Sequence, residues 1–278
     1  MRTKPLPHDD SDKLISNPEK GLERLVEIMR RLREPEHGCP WDLEQTFETI
    51  APYTIEEAYE VADAIERKAL SELPDELGDL LLQVIYHSQI GAETGSFSLD
   101  DVIAAISDKM IRRHPHVFGD WERKDFVAGS WEKLKDREKG AATRESVLDD
   151  VPTALPGLTR AVKLQKRAAR VGFDWPETGD VLKKIQEESA ELAEAIDNAD
   201  PDEIEDEFAD VLFSVANLGR HLKIDPEKAM RRVNAKFERR FRYVESTIRQ
   251  AGRSLEEATL DEMEELWKAA KIQERQQK

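Results

Sequence analysis

The chain has 278 residues, 39% hydrophobic, 6% aromatic and 36% charged, with a formal net charge of −17. That is enough length and apolar content for one or two packed domains, whereas the negative excess excludes broad binding to nucleic-acid backbones or anionic membranes, which needs clustered positive charge. A lone cysteine, Cys39, excludes an intrachain disulfide and a thiolate metal cluster. Met1 to Lys20 lacks the apolar run of a signal peptide, and no stretch of about 18 apolar residues occurs, so the expectation is a soluble, cytoplasmic protein without direct nucleic-acid or membrane binding.

In chain order, residues 1–17 carry Pro5, Pro7 and small polar or acidic side chains and read as a flexible tail. Asn17-Pro18 supplies a cap and a first-turn proline, after which Leu22, Leu25, Val26, Met29 and Leu32 recur at helical spacing until Pro35. A loop from Pro35 to Trp41 follows. Thr54-x-x-Glu57 has the form of a capping box and predicts that a helix opens there, which gives Glu57 a capping role as a rival to any chemical one. Pro74 starts the next helix, with Leu77, Leu80, Leu81, Val84 and Ile85 as its apolar stripe and Gly91 or Gly95 near its end, so the two form a hairpin. The second half repeats the device with Asp200-Pro201-x-Glu203, and Asp225-Pro226 opens a long helix running to Gln250. Gly140 to Gly157 holds Pro152, Pro156 and two adjacent aspartates without sustained periodicity. The expected organisation is therefore a tail at 1–17, a domain at 18–139, a linker at 140–157 and a second domain at 158–278. With no alternating β-branched run, no P-loop and no nucleophile elbow, the fold class is all-α, with helical-bundle cores closed within each half or by a second chain.

The two halves share a chemical pattern. Glu56-Glu57-x-x-Glu60 with Glu76-x-x-Asp79 recurs as Glu187-Glu188-x-x-Glu191 with Glu207-x-x-Asp210, each residue 131 positions after its partner. Neighbours repeat too, since Glu76-Leu77-Gly78-Asp79-Leu80 mirrors Glu207-Phe208-Ala209-Asp210-Val211. Gaps of three and four place the acids on one helical face. Such like-charge pairs cost an isolated helix roughly 0.2–0.5 kcal/mol each, so a face built this way twice calls for a cation, and oxygen-only ligands favour a hard one such as Mg2+. A basic echo follows, Lys109, Arg112 and Arg113 against Lys236, Arg239 and Arg240. His114 and His116 read as structural or supporting groups, because hard-metal sites prefer oxygen.

These residues together resemble the MazG-type nucleoside triphosphate pyrophosphohydrolases of the all-α NTP pyrophosphatase superfamily. The likeness covers nearly the whole chain and includes Gly38-Cys39-Pro40-Trp41-Asp42, Arg113-His114-Pro115-His116-Val117-Phe118, Gly172-Phe173-Asp174-Trp175 and Lys236-Phe237-Glu238-Arg239-Arg240-Phe241. The resemblance implies Mg2+-dependent hydrolysis of a nucleoside triphosphate to the monophosphate and pyrophosphate, with Mn2+ as a substitute metal, in a homodimer of tandem domains. It implies Glu188, Glu191, Glu207 and Asp210 as metal ligands and Lys236, Arg239 and Arg240 as phosphate contacts. It also implies a nucleotide contact for Trp267, which could equally anchor the last helix, and for Lys135. Glu187, beside the ligands, is the candidate for orienting or deprotonating the attacking water. Lys184 faces either the nucleotide or solvent. Glu57, Glu60, Glu76 and Asp79 keep a full acidic set, so the first half offers a second metal site, while the resemblance favours the second half for catalysis.

Three rival readings stand beside this one. A di-iron carboxylate bundle wants two Glu-x-x-His motifs, and the chain offers only Glu34-Pro35-Glu36-His37, interrupted by proline. A non-enzymatic helical regulatory or scaffold protein would leave the acids as a solvated face. A base-restricted relative such as a dUTP pyrophosphatase would share the acids without broad base tolerance.

Overall fold

The computed structural model describes residues 6–121, 124, 146–149 and 151–276. Among them there are twelve α-helices and no strand. The chain divides into two compact units, Met1–Lys139 and Gly140–Lys278.

In the first unit α1 (His8–Ile15) is followed by a 3-10 turn (Pro18–Lys20), α2 (Gly21–Leu32), α3 (Pro40–Glu44), α4 (Phe47–Arg67), α5 (Leu73–Thr94), α6 (Leu99–Arg113) and the short α7 (Pro115–Phe118). The segment expected as a tail thus holds a helix. Its docking is polar: the Ser11 hydroxyl donates to Glu27, and Arg31 donates to Asp12 Oδ1 at 2.9 Å. Neither partner could be read locally, because both lie 16 to 19 residues away.

The Thr54 expectation is corrected. Helix α4 is capped eight residues earlier, where the Thr46 hydroxyl accepts from the Thr49 N–H and the Thr46 N–H donates to Thr49 Oγ1 at 2.8 Å. Thr54 lies inside the helix, 3.1 Å from His87 Nε2 on α5, and the His87 ring stacks on Phe47. Glu57 is thereby relieved of capping. Helix α5 starts with Pro74 in its first turn, as expected, and ends at Gly95, whose φ of 71° is the left-handed conformation that glycine adopts without strain. Gly91 lets the chain fold back, since a Cβ there would lie 2.8 Å from the Phe97 ring. The core joins Met29 of α2, Ile50 of α4 and Ile85, Tyr86 and Ile90 of α5.

The second unit runs α8 (Gly157–Ala169), α9 (Thr178–Asn198), α10 (Pro201–His221), α11 (Pro226–Gln250), a 3-10 turn (Leu255–Glu257) and α12 (Leu260–Gln276). Asp200 caps α10 by accepting from the N–H groups of Asp202 and Glu203, and Asp225 caps α11 through Lys228 N–H. Both caps are as the sequence predicts. The repeat extends to backbone detail: α4 and α9 each span 21 residues and each stops at a left-handed residue, Lys68 (φ 60°) and Ala199 (φ 56°). Val181, Ala195, Ala216, Val244, Ile248 and Ala270 are buried in this unit. Each unit therefore presents the same two-helix frame, α4 with α5 and α9 with α10.

Candidate metal centre

In the second unit α9 carries Lys184, Glu187, Glu188 and Glu191, and the antiparallel α10 brings up Glu207 and Asp210. Carboxylate oxygens of Glu188, Glu207 and Asp210 all lie within 4.8 Å of one another. Glu188 is only 5% exposed, which is costly for a charge without a counter-ion. Glu191 stands beside it. A hydrogen bond between the two carboxyls, then burial, pushes Glu191 above the ordinary carboxylate range. Glu207 is raised by burial and by the charges of Asp210 and Glu188, and its buried Oε2 has no hydrogen-bond partner. One cation does reach the cluster. Lys184 Nζ lies 2.6 Å from Glu187 Oε1 and 2.6 Å from Glu188 Oε1, and the two bonds raise the lysine well above its usual value.

The first unit repeats the convergence with a different membership. Oxygens of Glu57, Glu60 and Glu76 lie within 4.8 Å of one another. Burial is the largest cause raising Glu57, followed by its hydrogen bond with Glu60 and the nearby charge of Asp79, so the fourth acid also faces the group. Glu76 is raised by burial first, then by Glu60 and Asp79. Tyr53 occupies the position equivalent to Lys184. Beside this set, Pro52, Ile55, Glu56, Tyr59, Glu60 and Asp63 line an open groove along α4.

Both acid sets fit a hard divalent cation. The donors are all carboxylate oxygens, three converge in each unit, and in the second unit the buried Glu207 oxygen left without a partner is a position that a cation would satisfy. His114 and His116 belong to neither set; His114 Nδ1 lies 2.7 Å from the Met110 carbonyl oxygen.

The basic residues form a separate group on α11 and α12. Arg240 donates to Glu274 Oε2 at 2.8 and 2.9 Å, and Arg239 approaches the other Glu274 oxygen at 3.5 Å. The Arg240 guanidinium also lies 5.6 Å from the Trp267 ring centre, with Phe237 on the same ring at 5.2 Å. Trp267 thus helps anchor α12 on α11. Lys236 makes no ion pair among the described residues, and Lys135 lies outside them. Glu274 was not legible beforehand, being 34 residues from Arg240 and one of many acids in the last helix.

Two further networks hold the acid helices. Buried Arg33 donates to Glu93 at 2.7 Å and to the Asp42 carbonyl oxygen, and Tyr86 donates to Asp42 Oδ1 at 2.9 Å. In the second unit Asp174 accepts from Arg220 and lies 3.2 Å from His221 Nε2. Each aspartate ties the segment before the first acid helix to the second acid helix.

A model of the MazG nucleotide pyrophosphohydrolase domain matches the chain twice, at residues 45–118 and 177–244. The chain is 49% identical over 257 residues to a nucleoside triphosphate pyrophosphohydrolase of Escherichia coli, covering 91% of this chain and 98% of that one. It is 45% identical over 250 residues to the nucleoside triphosphate pyrophosphohydrolase/pyrophosphatase MazG of Thermotoga maritima, covering 90% and 95%. It is also 45% identical over 251 residues to a protein of Bacillus subtilis called YabN, covering 89% of this chain and 51% of that one. Matched domains and relatives of this extent establish that the chain is a hydrolase belonging to the MazG nucleotide pyrophosphohydrolase family, with the family's domain present in tandem.

Proposed function

We propose that the protein hydrolyses nucleoside triphosphates to the monophosphate and pyrophosphate in the presence of Mg2+, with broad base tolerance and a role in clearing the nucleotide pool or controlling a stress signal. The observation that carries the metal requirement is the convergence of Glu188, Glu207 and Asp210, with Glu191 beside them, around an unpartnered Glu207 oxygen. Those four acids would hold the ion. When bound, Mg2+ neutralises charge on the triphosphate and on the departing pyrophosphate.

The remaining work falls to side chains of this chain. Glu187, fixed by Lys184 at 2.6 Å, accepts the proton of the attacking water as oxygen adds to phosphorus and the anhydride bond to pyrophosphate breaks. Lys236, Arg239 and Arg240 contact phosphate oxygens, the arginines as paired donors and the lysine as a point charge. Arg240 exchanges its Glu274 contact for substrate, and the aromatic pair Phe237 and Trp267 offers an apolar wall for the nucleoside. No protein nucleophile is required. The acid set Glu57, Glu60, Glu76 and Asp79 is assigned as a second Mg2+ site.

Dimerisation belongs to the same proposal. Ile55, Leu77 and Leu81 in the first unit and Leu182, Phe208 and Phe213 in the second are 42–54% exposed on the two-helix frames, more apolar surface than a monomer normally leaves to water. A second copy of the chain, bringing equivalent faces, would cover them.

Product analysis tests the reaction. With ATP, dATP, dUTP and the other triphosphates plus Mg2+, the expected products are the monophosphate and pyrophosphate. Orthophosphate release, or no turnover with any triphosphate, would overturn the reading in favour of a scaffold role. Turnover of dUTP alone would confine it to a base-restricted enzyme.

A further inference from the structure

We infer that His8, Glu34 and His37 form a third metal site, separate from both carboxylate centres and selective for a transition-metal ion of the Zn2+ type. One ligand atom from each residue lies within 4.8 Å of the other two. His8 Nε2 is 3.8 Å from Glu34 Oε1, and the two imidazole rings stand edge to face with centres 6.0 Å apart. The donor set is two nitrogens and one oxygen. Imidazole ligands suit zinc, copper and nickel, whereas the all-oxygen sites of the acid helices suit magnesium, so the chemistry separates the third site from the other two.

The arrangement is held by contacts independent of any ion. His8 opens α1, and α1 is fixed to α2 through the Ser11 hydroxyl on Glu27 and Arg31 on Asp12. Glu34 and His37 sit in the turn after α2, which is closed by Gly38 N–H to the Glu34 carbonyl at 2.7 Å and Cys39 N–H to the Leu32 carbonyl at 2.8 Å. A Cβ at residue 38 would fall on the Leu32 and Glu34 carbonyl oxygens, so this turn tolerates only glycine. Within it, Glu34 Oε2 is buried and has no hydrogen-bond partner; Arg31 Nε, at 3.7 Å, is too distant to donate. Glu34 thus turns Oε1 toward His8, while its buried Oε2 has only the Arg31 ion pair, so the carboxylate keeps ligating capacity for an ion held with the two exposed imidazoles. Three protein ligands leave one position of a tetrahedral ion for water. The ion would clip the start of α1 to the turn that leads through α3 into α4, the helix bearing Glu57 and Glu60.

The test uses the full-length chain without a histidine tag, saturated with Mg2+, with Zn2+ titrated while the imidazole NMR signals are followed. The signals of His8 and His37, assigned by their loss in His8→Gln and His37→Gln, should shift together with a stoichiometry of one ion, and His8→Gln should abolish the His37 shift. Glu34→Gln should weaken binding by about ten-fold or more. Glu57→Gln and Glu188→Gln should leave both shifts intact. Because His8 and His37 are exposed, their replacement should preserve the helical circular-dichroism spectrum. The inference is overturned if His37 still responds to Zn2+ in His8→Gln, or if the first equivalent of Zn2+ moves neither signal.

Discussion

The two carboxylate centres stand on equivalent pairs of helices, α4 with α5 and α9 with α10, and differ in their built-in counter-ion. In the second half Lys184 closes on Glu187 and Glu188. In the first half the same position is Tyr53, which packs edge-on against Trp41, and no cation pairs with Glu56 or Glu57 among the described residues. Helical spacing alone is therefore enough to gather the acids, while a fixed base needs a neighbour to hold it. On the proposed mechanism the first centre is the more dependent on an external cation, and the second is the one equipped for chemistry.

Removing a ligand should separate the centres most sharply. Glu188→Gln or Glu207→Gln is expected to lower kcat/KM by about 100-fold or more, whereas Glu57→Gln should change it only a few-fold; steady-state kinetics on the three variants reads the difference. Equal losses from both halves would make the centres interdependent. Chelation by EDTA should abolish turnover in wild type, with recovery on adding Mg2+.

A smaller effect is expected from the lysine. Lys184→Met frees Glu187 and should reduce kcat by about ten-fold, while Mg2+ affinity, measured by calorimetry, holds or rises because the ion no longer competes with the lysine for Glu188. A variant with weakened Mg2+ affinity and unchanged kcat would reverse the assigned role.

The pH dependence sharpens the same contrast. Glu57 and Glu76 in the first half, and Glu191 and Glu207 in the second, are raised above the ordinary carboxylate range. A raised carboxyl contributes stability that is complete below its unfolded value and is lost as pH rises through the folded one. Metal-free protein should accordingly lose stability as pH climbs out of the usual carboxylate range, and added Mg2+ should raise Tm more at neutral pH than at mildly acid pH. Thermal melts of Glu188→Gln, which keeps the first centre, should show the larger Mg2+ response than melts of Glu57→Gln. The smallest effect is expected at Glu274→Gln, which removes the competitor for Arg240 and should lower KM a few-fold with kcat unchanged.

Much of this was legible because it is local or periodic. The acid helices, the Asp200 and Asp225 caps and the paired carboxylates all follow from short spacings that the backbone turns into shared faces. Thr54 misled for an equally local reason: a Thr-x-x-Glu spacing recurs inside helices, and nothing in it reveals that Thr46 and Thr49 have already closed the cap. The α1 segment was misread because Ser11 and Asp12 find their partners on another helix. Glu34 and His37 were visible as an interrupted Glu-x-x-His, but His8, the residue that completes the cluster, comes from 26 positions upstream of Glu34. The hold of Glu274 on Arg240 was hidden in the same way.

The central claim is that chemistry resides in the second carboxylate centre, and side-by-side turnover of Glu57→Gln/Glu60→Gln and Glu188→Gln/Glu191→Gln with Mg2+ and a triphosphate tests it most directly. The account predicts that the first double variant still releases pyrophosphate and the second releases none. Pyrophosphate release that survives in Glu188→Gln/Glu191→Gln and disappears in Glu57→Gln/Glu60→Gln would contradict it.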